Sequence, residues 1–352
     1  RVRTNLAQLT SFPELTEHAR WVCVDNGGWV GGHWVGLLWL AFAHTSDDTF
    51  HQGARQWAAR LAPRQHDTTT HDLGFLFELS HVLGARISGD AGLKAPALVA
   101  AKSLSRRFNE RGQFLQAWGP LNAPAGRRGR TIVDTMMNLN LLFWASTETG
   151  DPLYAWQATA HARTTMARLV RADHSTAHVG DFDPETGAFL KQDTHQGLSP
   201  TSCWSRGQAW AIYGFAETYR STGDQPFLAT ARGLAEYALR RLPPDHVPYW
   251  DYDSPLIPND VRDSSAAAVM ASGLLSLARL EPDAALAGRW KREAIGILES
   301  LWNGYSSRGS VEPCILLHAT RSKPGGYADH GLIYGDYYFV EALTRLLEPE
   351  LL

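Results

Sequence analysis

Apolar residues recur along most of this chain at the i, i+3, i+4 and i+7 spacing that places them on one face of an α-helix. Extended runs are short, as in "VPYWDYD" at residues 247–253. The periodicity predicts twelve helices, which span residues 4–18, 33–45, 48–61, 72–86, 91–109, 132–148, 152–171, 205–221, 225–241, 263–278, 283–304 and 332–347. We therefore expect an all-α protein.

Two kinds of helix alternate in this pattern. Six are apolar or small on nearly every face, and they contain the stretches "GGHWVGLLWLAF", "HDLGFLFELS", "TIVDTMMNLNLLFW", "CWSRGQAWAIYGF", "RDSSAAAVMASGLL" and "DHGLIYGDYYFVEAL". The other six are amphipathic and can cover the first kind with one face. The alternation predicts one (α/α)6-barrel domain over 1–352, with six inner and six outer helices, in which the inner helices share one rim of N-termini.

Several helices open with the same polar device, in which an aspartate stands where a helix N-cap is expected. The stretches are "SDDTF" at 46, "SGDAG" at 88, "TGDPL" at 149, "TGDQP" at 222 and, as a weaker copy, "EPDAA" at 281. Their spacings of 42, 61, 73 and 59 residues are irregular. Helical hairpins with unequal loops fit this better than a strict solenoid does.

Composition narrows the class of protein. The 352 residues are 44% hydrophobic and 20% charged, which is typical of a globular chain with a sizeable core. No apolar run approaches the roughly 20 residues of a membrane span, so no membrane association is expected. Cys23, Cys203 and Cys314 lie far apart, which predicts buried thiols and neither a disulfide framework nor a zinc site.

Charge and chain start bear on partners and compartment. The net charge of −3 provides no general attraction for nucleic acid, so an anionic partner would need local arginines or lysines. The sequence begins at Arg1 without Met, so we expect an upstream segment to be missing or to have been removed. A cytoplasmic monomer or homodimer is expected, with a periplasmic or exported location left open.

Two aspartates at starts of inner helices are the candidate catalytic residues. Asp134 follows Thr131 by three residues, so the pair is also explained by an imperfect capping box, and Asp72 is also explained as an N-cap. Against the first explanation, Asp134 and Asn138 share a face of a helix that is otherwise apolar. Burial raises a carboxyl pKa, and two neighbouring carboxylates do not both ionise readily. The pair is therefore a candidate acid/base device.

Aromatic and polar residues are expected on the same rim. Thirteen tryptophans are many for this length, and five of them cluster where the rim is expected, namely Trp29, Trp34, Trp118, Trp204 and Trp210. An indole rim beside polar side chains suits sugars, although a single tryptophan is more often a core residue. Arg206 is the best candidate to hold a substrate carboxylate in bidentate fashion, with an ordinary ion pair on the helix surface as the alternative.

A long non-helical excursion between two helices adds further polar candidates. It contains His178, His195 and Gln196, and such excursions often supply functional side chains, although a lone surface histidine is the ordinary explanation. The sequence has no H-x-x-H or H-E-x-x-H pair, so neither a metal site nor a cofactor is expected.

At this point a family resemblance emerges over most of the chain. The matching strings, in chain order, are Trp29 ahead of "GHW", "HDLGF" (71–75), "QAWGP" (116–120), "DTMMN" (134–138), "FDPETG" (182–187), "THQG" (194–197), "WSRGQAWAIYGF" (204–215), "YWD" (249–251), "RDSSA" (262–266) and "GDYY" (335–338). No single string is decisive, but their order and spacing make chance agreement improbable. The chain resembles the unsaturated glucuronyl hydrolases of glycoside hydrolase family 88.

The resemblance implies an (α/α)6 barrel and an unusual glycosidase reaction. The substrate would be an oligosaccharide with a 4,5-unsaturated uronic acid at its non-reducing end, as polysaccharide lyases release. The residue matching Asp134 protonates C4 of the vinyl ether and assists water addition at C5, after which the hemiketal opens and the remaining sugar leaves. Asp72 matches the second essential carboxylate. The residues that match sugar-contacting positions are Trp29, Trp118, His178, Gln196, Trp204, Arg206 and Trp210.

The resemblance has departures and rivals. His33 stands where the family usually has phenylalanine, and residues 306–331 align poorly, although Ser322 and Lys323 there could contact a sulfate. Family 105, which acts on unsaturated rhamnogalacturonides, shares the barrel and chemistry but fits the strings less well. An (α/α)6 epimerase would use a pair of rim histidines, and a non-catalytic scaffold would have no use for two carboxylates among tryptophans.

Overall fold

The computed structural model describes residues 1–352, and its helices alternate between two layers. Most residues of the inner helices are buried, which explains why their sequences lack a polar face. The inner helices are α2 (Gly31–Thr45), α4 (Leu73–Phe77), which continues through a π-helical stretch at Glu78–Val82 into α5 (Leu83–Ser88), α8 (Thr135–Thr149), α10 (Ser205–Thr222), α12 (Ser264–Leu280) and α14 (Ile333–Leu347).

The inner helices form a closed ring. Each packs against the next in chain order, and α14 returns to pack against α2. The outer layer contains α1 (Val2–Gln8), α3 (Asp48–Leu61), α6 (Lys94–Ser105), α9 (Pro152–Arg168), α11 (Gln225–Arg241) and α13 (Ala284–Gly304), while α7 (Ala125–Arg128) is a single turn in a loop. The predicted all-α (α/α)6 barrel is confirmed, with a seven-residue α1 as the shortest member of the outer layer.

Aspartate side chains cap the outer helices as the repeated polar device predicts, with one exception. Asp47, Asp151 and Asp283 each accept hydrogen bonds from backbone N–H groups in the first turn of α3, α9 and α13. Asp90 does the same for the short turn that leads into α6. Asp224 occupies the N-cap position of α11 without capping it, because its carboxylate pairs with Arg163 instead.

The predicted helix over 4–18 is wrong in its second half. Residues Phe12–Glu17 form strand β1, which pairs in antiparallel register with β2 (Arg20–Val24). His18 and Ala19 make the turn with positive φ. The backbone N–H of Thr16 donates to the carbonyl of Gly331, so pairing with a distant segment stabilises an extended conformation that local periodicity does not reveal.

Short strands also form in the loops near the rim. Strands β3 (Phe108–Asn109) and β4 (Phe114–Leu115) form one hairpin. Strands β5 (Arg130–Ile132), β6 (Val179–Phe182) and β7 (Phe189–Asp193) form an antiparallel sheet in the order β5-β6-β7, which the sequence did not predict. This sheet brings together the chain ahead of α8 and both ends of the predicted non-helical excursion.

Cys203 and Cys314 are buried thiols as predicted, whereas Cys23 is partly exposed, and all three are free. None of the helices combines the length and the apolar character that a membrane crossing requires.

Candidate active site

The starts of the inner helices surround a cavity of about 510 Å³. Asp72 and Asp134 occupy the positions immediately before α4 and α8, and Trp204 and Asp263 occupy those before α10 and α12. The predicted rim is therefore present. The cavity is lined by Trp29, His71, Asp72, Trp118, Ile132, Asp134, His195, Gln196, Arg206, Arg321, Ser322, Pro324, Gly325 and Tyr327.

Asp134 is buried at the start of α8 and does not cap the helix. Its side chain accepts no hydrogen bond from the first turn, and the Oγ1 of Thr131 has no partner, so the capping-box hypothesis is wrong. Oδ2 of Asp134 is also without a hydrogen-bond partner. Burial raises the pKa of this carboxyl to about 7, while the Arg206 charge lowers it and the Asp72 carboxylate raises it further. The carboxyl can therefore exchange a proton near neutral pH.

Asp72 is held by its neighbours in sequence rather than by the helix it precedes. Thr70 Oγ1 donates to Oδ2 of Asp72 at 2.5 Å, and Nε2 of His71 lies 3.3 Å from Oδ1. No backbone N–H of α4 is capped by this carboxylate, so the N-cap explanation also fails. The Nδ1 of His71 is in turn within 2.8 Å of Thr135 Oγ1, in the first turn of α8. This chain of contacts joins the two helix starts that carry the carboxyl groups.

The backbones of α4 and α8 approach closely beneath these carboxyls. A Cβ on Gly74 would come within 2.3 Å of the Cα of Asn138, so only glycine fits there. The side-chain Oδ1 of Asn138 accepts the N–H of Phe75 at 2.8 Å. Asn138, which the sequence places on the face of Asp134, therefore fixes the distance between the helices rather than contacting substrate.

His178 presents one nitrogen to Asp134. Its Nδ1 accepts backbone N–H groups from His195 at 3.2 Å and from Gln196 at 3.1 Å, so the neutral ring carries its proton on Nε2. Nε2 lies 3.6 Å from Oδ2 of Asp134, which is longer than an ordinary hydrogen bond, and has no other partner. Burial, assisted by the charges of His195 and Arg206, holds the pKa of His178 well below its usual value. His178 is therefore a neutral N–H donor facing the site.

The four tryptophans that match sugar-contacting positions divide into two pairs, and Trp34 is fully buried in the core. Trp29 and Trp118 line the cavity and are partly exposed there. Trp204 and Trp210 are buried behind it. The ring of Trp204 packs on His178, with centroids 4.6 Å apart, and the ring of Trp210 packs on Phe75 at 5.2 Å. The second pair therefore supports the wall of the site.

Arg206 is less available than the sequence suggested. It is almost completely buried, and its Nη1 donates to Asp263 and to the Thr320 carbonyl, each at 2.5 Å. Nη2 donates to the Arg321 carbonyl at 2.6 Å. The expected ion pair exists, but it lies in the interior rather than on the helix surface. With both terminal nitrogens engaged, bidentate capture of a substrate carboxylate is not supported, although the guanidinium still borders the cavity and contributes positive charge.

The segment 306–331 forms one side of the cavity, although its sequence aligned poorly. Gln196 Nε2 donates to the carbonyl of Arg321 at 2.7 Å, which fixes this segment to the excursion. Arg321 lies on the cavity surface and pairs with Glu14 at 2.9 Å. Ser322 also lines the cavity, whereas Lys323 turns away and pairs with the carboxylate of Asp260.

Several site residues were not among the sequence candidates. Arg321 pairs with a residue far away in the chain, and no local pattern marks it. Asp263 did have a signal, because it precedes an apolar inner helix as Asp72 and Asp134 do. His71 and His195 did have a signal, because each adjoins a residue that was selected. His33, which stands where the family usually has phenylalanine, is fully buried among aromatic rings, and burial lowers its pKa to about 3, so it stays neutral.

Comparisons with known proteins agree with this geometry. The sequence profile of the family Glycosyl Hydrolase Family 88 matches residues 3–275. The chain is 39% identical over 342 residues to the unsaturated glucuronyl hydrolase of Bacillus sp. (strain GL1), covering 95% of this chain and 90% of that protein. It is 38% identical over 333 residues to the unsaturated chondroitin disaccharide hydrolase of Streptococcus pneumoniae (strain ATCC BAA-255 / R6), covering 92% of this chain and 82% of that protein.

A solved structure shows the same likeness in three dimensions. The crystal structure of the unsaturated glucuronyl hydrolase from Bacillus sp. GL1, described as responsible for glycosaminoglycan degradation, superposes with a TM-score of 0.95 at 38% identity. The match covers 99% of this chain and 94% of that one. It favours the hydrolase over the epimerase, scaffold and family 105 alternatives. With a family match over most of its length and relatives well above 30% identity, this chain belongs to glycoside hydrolase family 88.

Proposed function

We propose that this enzyme removes a 4,5-unsaturated uronic acid from the non-reducing end of oligosaccharides that lyases release from glycosaminoglycan-like polysaccharides. One observation carries the proposal. The buried Asp134 carboxyl, whose pKa is about 7, has an unpartnered Oδ2 on a cavity that Asp72 also lines. The names of the Bacillus and Streptococcus relatives support the same substrate class.

In the proposed reaction Asp134 acts first as an acid and then as a base. Its proton goes to C4 of the C4=C5 double bond, and positive charge develops at C5 next to the ring oxygen. The resulting carboxylate then accepts a proton from the water that adds to C5, which restores the starting acid. The hemiketal formed opens, and the remaining sugar is released. Because no carboxylate attacks the anomeric carbon, the carboxylate spacing of ordinary glycosidases does not apply.

Asp72 has a supporting role in this scheme. Thr70 and His71 hold its carboxylate at the cavity surface, where a negative charge favours the cationic transition state at C5. The same charge raises the pKa of Asp134, which keeps the proton donor protonated near neutral pH. The two aspartates thus perform different tasks because their surroundings differ.

The remaining cavity residues are proposed to hold the sugar. Trp29 and Trp118 offer ring faces for the C–H surface of a pyranose, and Gln196 offers polar contacts beside them. His178 directs its Nε2–H toward the reacting region. The positive charges of Arg206 and Arg321 favour the uronate carboxylate without requiring a bidentate pair. The volume of about 510 Å³ suits a ligand of one or two rings.

A direct assay tests the proposal. The ultraviolet absorbance of the double bond in an unsaturated disaccharide should decay on addition of the enzyme, and the leaving sugar should be released in equal amount. An epimerase or a scaffold would leave the absorbance unchanged. Running chondroitin, hyaluronan, heparin and ulvan disaccharides in parallel determines the preferred linkage and sulfation, and decay with none of them would refute the proposed function.

A further inference from the structure

A second concave surface lies on the outside of the barrel, away from the rim. It is a groove of about 680 Å³ along the outer face of α9, which we call the α9 groove. Its floor follows one face of the helix, where small side chains leave a depression; these are Thr159, Ala160, Thr164 and Ala167. The turn at 111–113 and the β6-β7 hairpin form its walls.

The α9 groove is basic. Arg111, Arg163 and Arg168 line it, and no aspartate or glutamate is among its lining residues. Arg163 is paired with Asp224, but neither Arg111 nor Arg168 has a carboxylate partner. The Nη1 of Arg111 donates to the backbone carbonyl of Glu185, and Arg168 lies over the ring of Phe189. The protein as a whole has a net charge of −3, so this cluster makes the groove a local site of positive charge that attracts anions.

An exposed indole lies beside these charges. Trp156 keeps 48% of its surface exposed, and its ring packs edge-on against Phe108, with centroids 5.2 Å apart. A tryptophan in the outer helix layer that is not buried against a neighbour presents a flat apolar face to solvent. A flat ring next to guanidinium groups matches a pyranose that carries carboxylates or sulfates.

The groove is connected to the active site but separate from it. Phe182 and Phe189, at the turn end of β6 and β7, line the groove, while His178 precedes β6 and His195 follows β7 at the cavity. Strands of four or five residues span roughly 15 Å. A ligand in the α9 groove therefore leaves the catalytic cavity free.

We propose that the α9 groove is a second binding site for acidic oligosaccharides, which stack a ring on Trp156 and place anionic groups against Arg111 and Arg168. It would hold chains of the same chemical class as the substrate, away from the reacting end. The combination of an exposed ring face with guanidinium groups favours an acidic glycan over a second copy of the chain.

The test uses the full chain and a saturated chondroitin sulfate hexasaccharide, which lacks the C4=C5 double bond and is not hydrolysed. Isothermal titration should show that Trp156→Ala and Arg168→Gln each weaken binding on the order of 5- to 10-fold. Both variants should hydrolyse the unsaturated disaccharide at the wild-type rate, because that short substrate occupies only the rim. A neutral hexasaccharide should bind more weakly than the sulfated one, and added salt should weaken only the latter.

Matched controls exist on another face. Trp302 is 44% exposed on α13, and Arg308 lies over its ring at 4.0 Å. Trp302→Ala and Arg308→Gln should leave hexasaccharide binding unchanged. The proposal fails if these controls lose as much affinity as the groove variants, or if the groove variants bind like wild type. It also fails if sedimentation shows that Trp156→Ala dissociates a dimer, since the groove would then be a contact between subunits.

Discussion

Two buried carboxyl groups at the starts of inner helices look alike by charge and differ in what surrounds them. Asp134 lies at the start of α8, and Asp336 lies in the first turn of α14. Burial raises the pKa of each to about 7. The altered pKa alone would therefore select both as proton donors.

Their hydrogen bonds separate them. The two oxygens of Asp336 accept the backbone N–H groups of Ile315 at 2.8 Å and Leu316 at 2.9 Å, and the residue does not line the catalytic cavity. Asp134 has an Oδ2 without a partner and faces that cavity. A catalytic acid needs an oxygen that can reach the substrate, whereas Asp336 uses both oxygens to fasten the segment 306–331. The comparison predicts that the two aspartates will respond oppositely to the same substitution.

The largest effect is expected for Asp134→Asn. The amide can neither donate the proton to C4 nor receive one from water, so kcat should fall by roughly 10³-fold or more. The free energy of unfolding at pH 8 should stay the same or rise, because a buried carboxylate without a partner is removed. Steady-state kinetics on an unsaturated disaccharide and thermal denaturation measure the two quantities. Unfolding of the variant would instead support a structural role for Asp134.

The pH dependence of the reaction gives the next largest effect. The pKa of Asp134 is raised to about 7, and only its protonated form can donate a proton to C4. As pH rises above 7 that form is lost, so kcat should fall tenfold for each further pH unit. Asp336→Asn should retain this decline unchanged. The role given to Asp134 would be contradicted if Asp336→Asn shifted the pH at which kcat begins to fall, or if the kcat of the wild-type enzyme stayed constant up to pH 9.

The sequence could predict this site because much of its chemistry lies at helix starts. Asp72 and Asp134 precede apolar helices, and the ring of six inner helices brings such positions together whatever the loop lengths are. Contacts with distant parts of the chain could not be predicted. Arg206 was expected to hold a substrate carboxylate in bidentate fashion, and the pairing of its Nη1 with Asp263, 57 residues away, does not support that geometry. A local pattern cannot show that a guanidinium is already engaged.

For the fold, as for the site, elements with local signals were predictable, and elements that depend on distant contacts were not. Helices that carry their own periodicity and aspartate caps were predicted well: α3 was predicted to the residue, and α9 was predicted with the correct start and an end three residues too late. Strand β1 was not, because Leu15 and Thr16 are extended through contacts with Leu332 and Gly331, more than 300 residues later. The sheet β5-β6-β7 escaped prediction because its strands are short and β5 comes from a different loop than β6 and β7.

A smaller effect, on stability rather than on chemistry, is expected for Asp336→Asn. The amide replaces one acceptor oxygen by a donor that faces a backbone N–H, so one of the bonds to Ile315 or Leu316 is lost. The free energy of unfolding should fall by about 1–3 kcal/mol, as expected when a buried N–H loses its acceptor. Because Asp134 is untouched, kcat should stay near the wild-type value, while KM should rise if the segment 306–331 loosens around the cavity. A loss of kcat as large as that of Asp134→Asn would show that both carboxyls take part in proton transfer.

The smallest effect concerns the residue that the capping-box hypothesis paired with Asp134. The Oγ1 of Thr131 is buried without a partner, and the residue lies in strand β5, where valine is well accommodated. Thr131→Val should therefore change the free energy of unfolding by less than about 0.5 kcal/mol, in either direction, since no hydrogen bond is broken. Asp151→Ala is the matched control, because Asp151 does cap α9 by accepting the N–H of Leu153 at 2.9 Å, and its loss should cost about 0.5–2 kcal/mol. Chemical denaturation measures the free energy of unfolding of both variants. Equal losses of this free energy would mean that Thr131 caps α8 after all, and the free Oδ2 on which the role of Asp134 depends would then be in doubt.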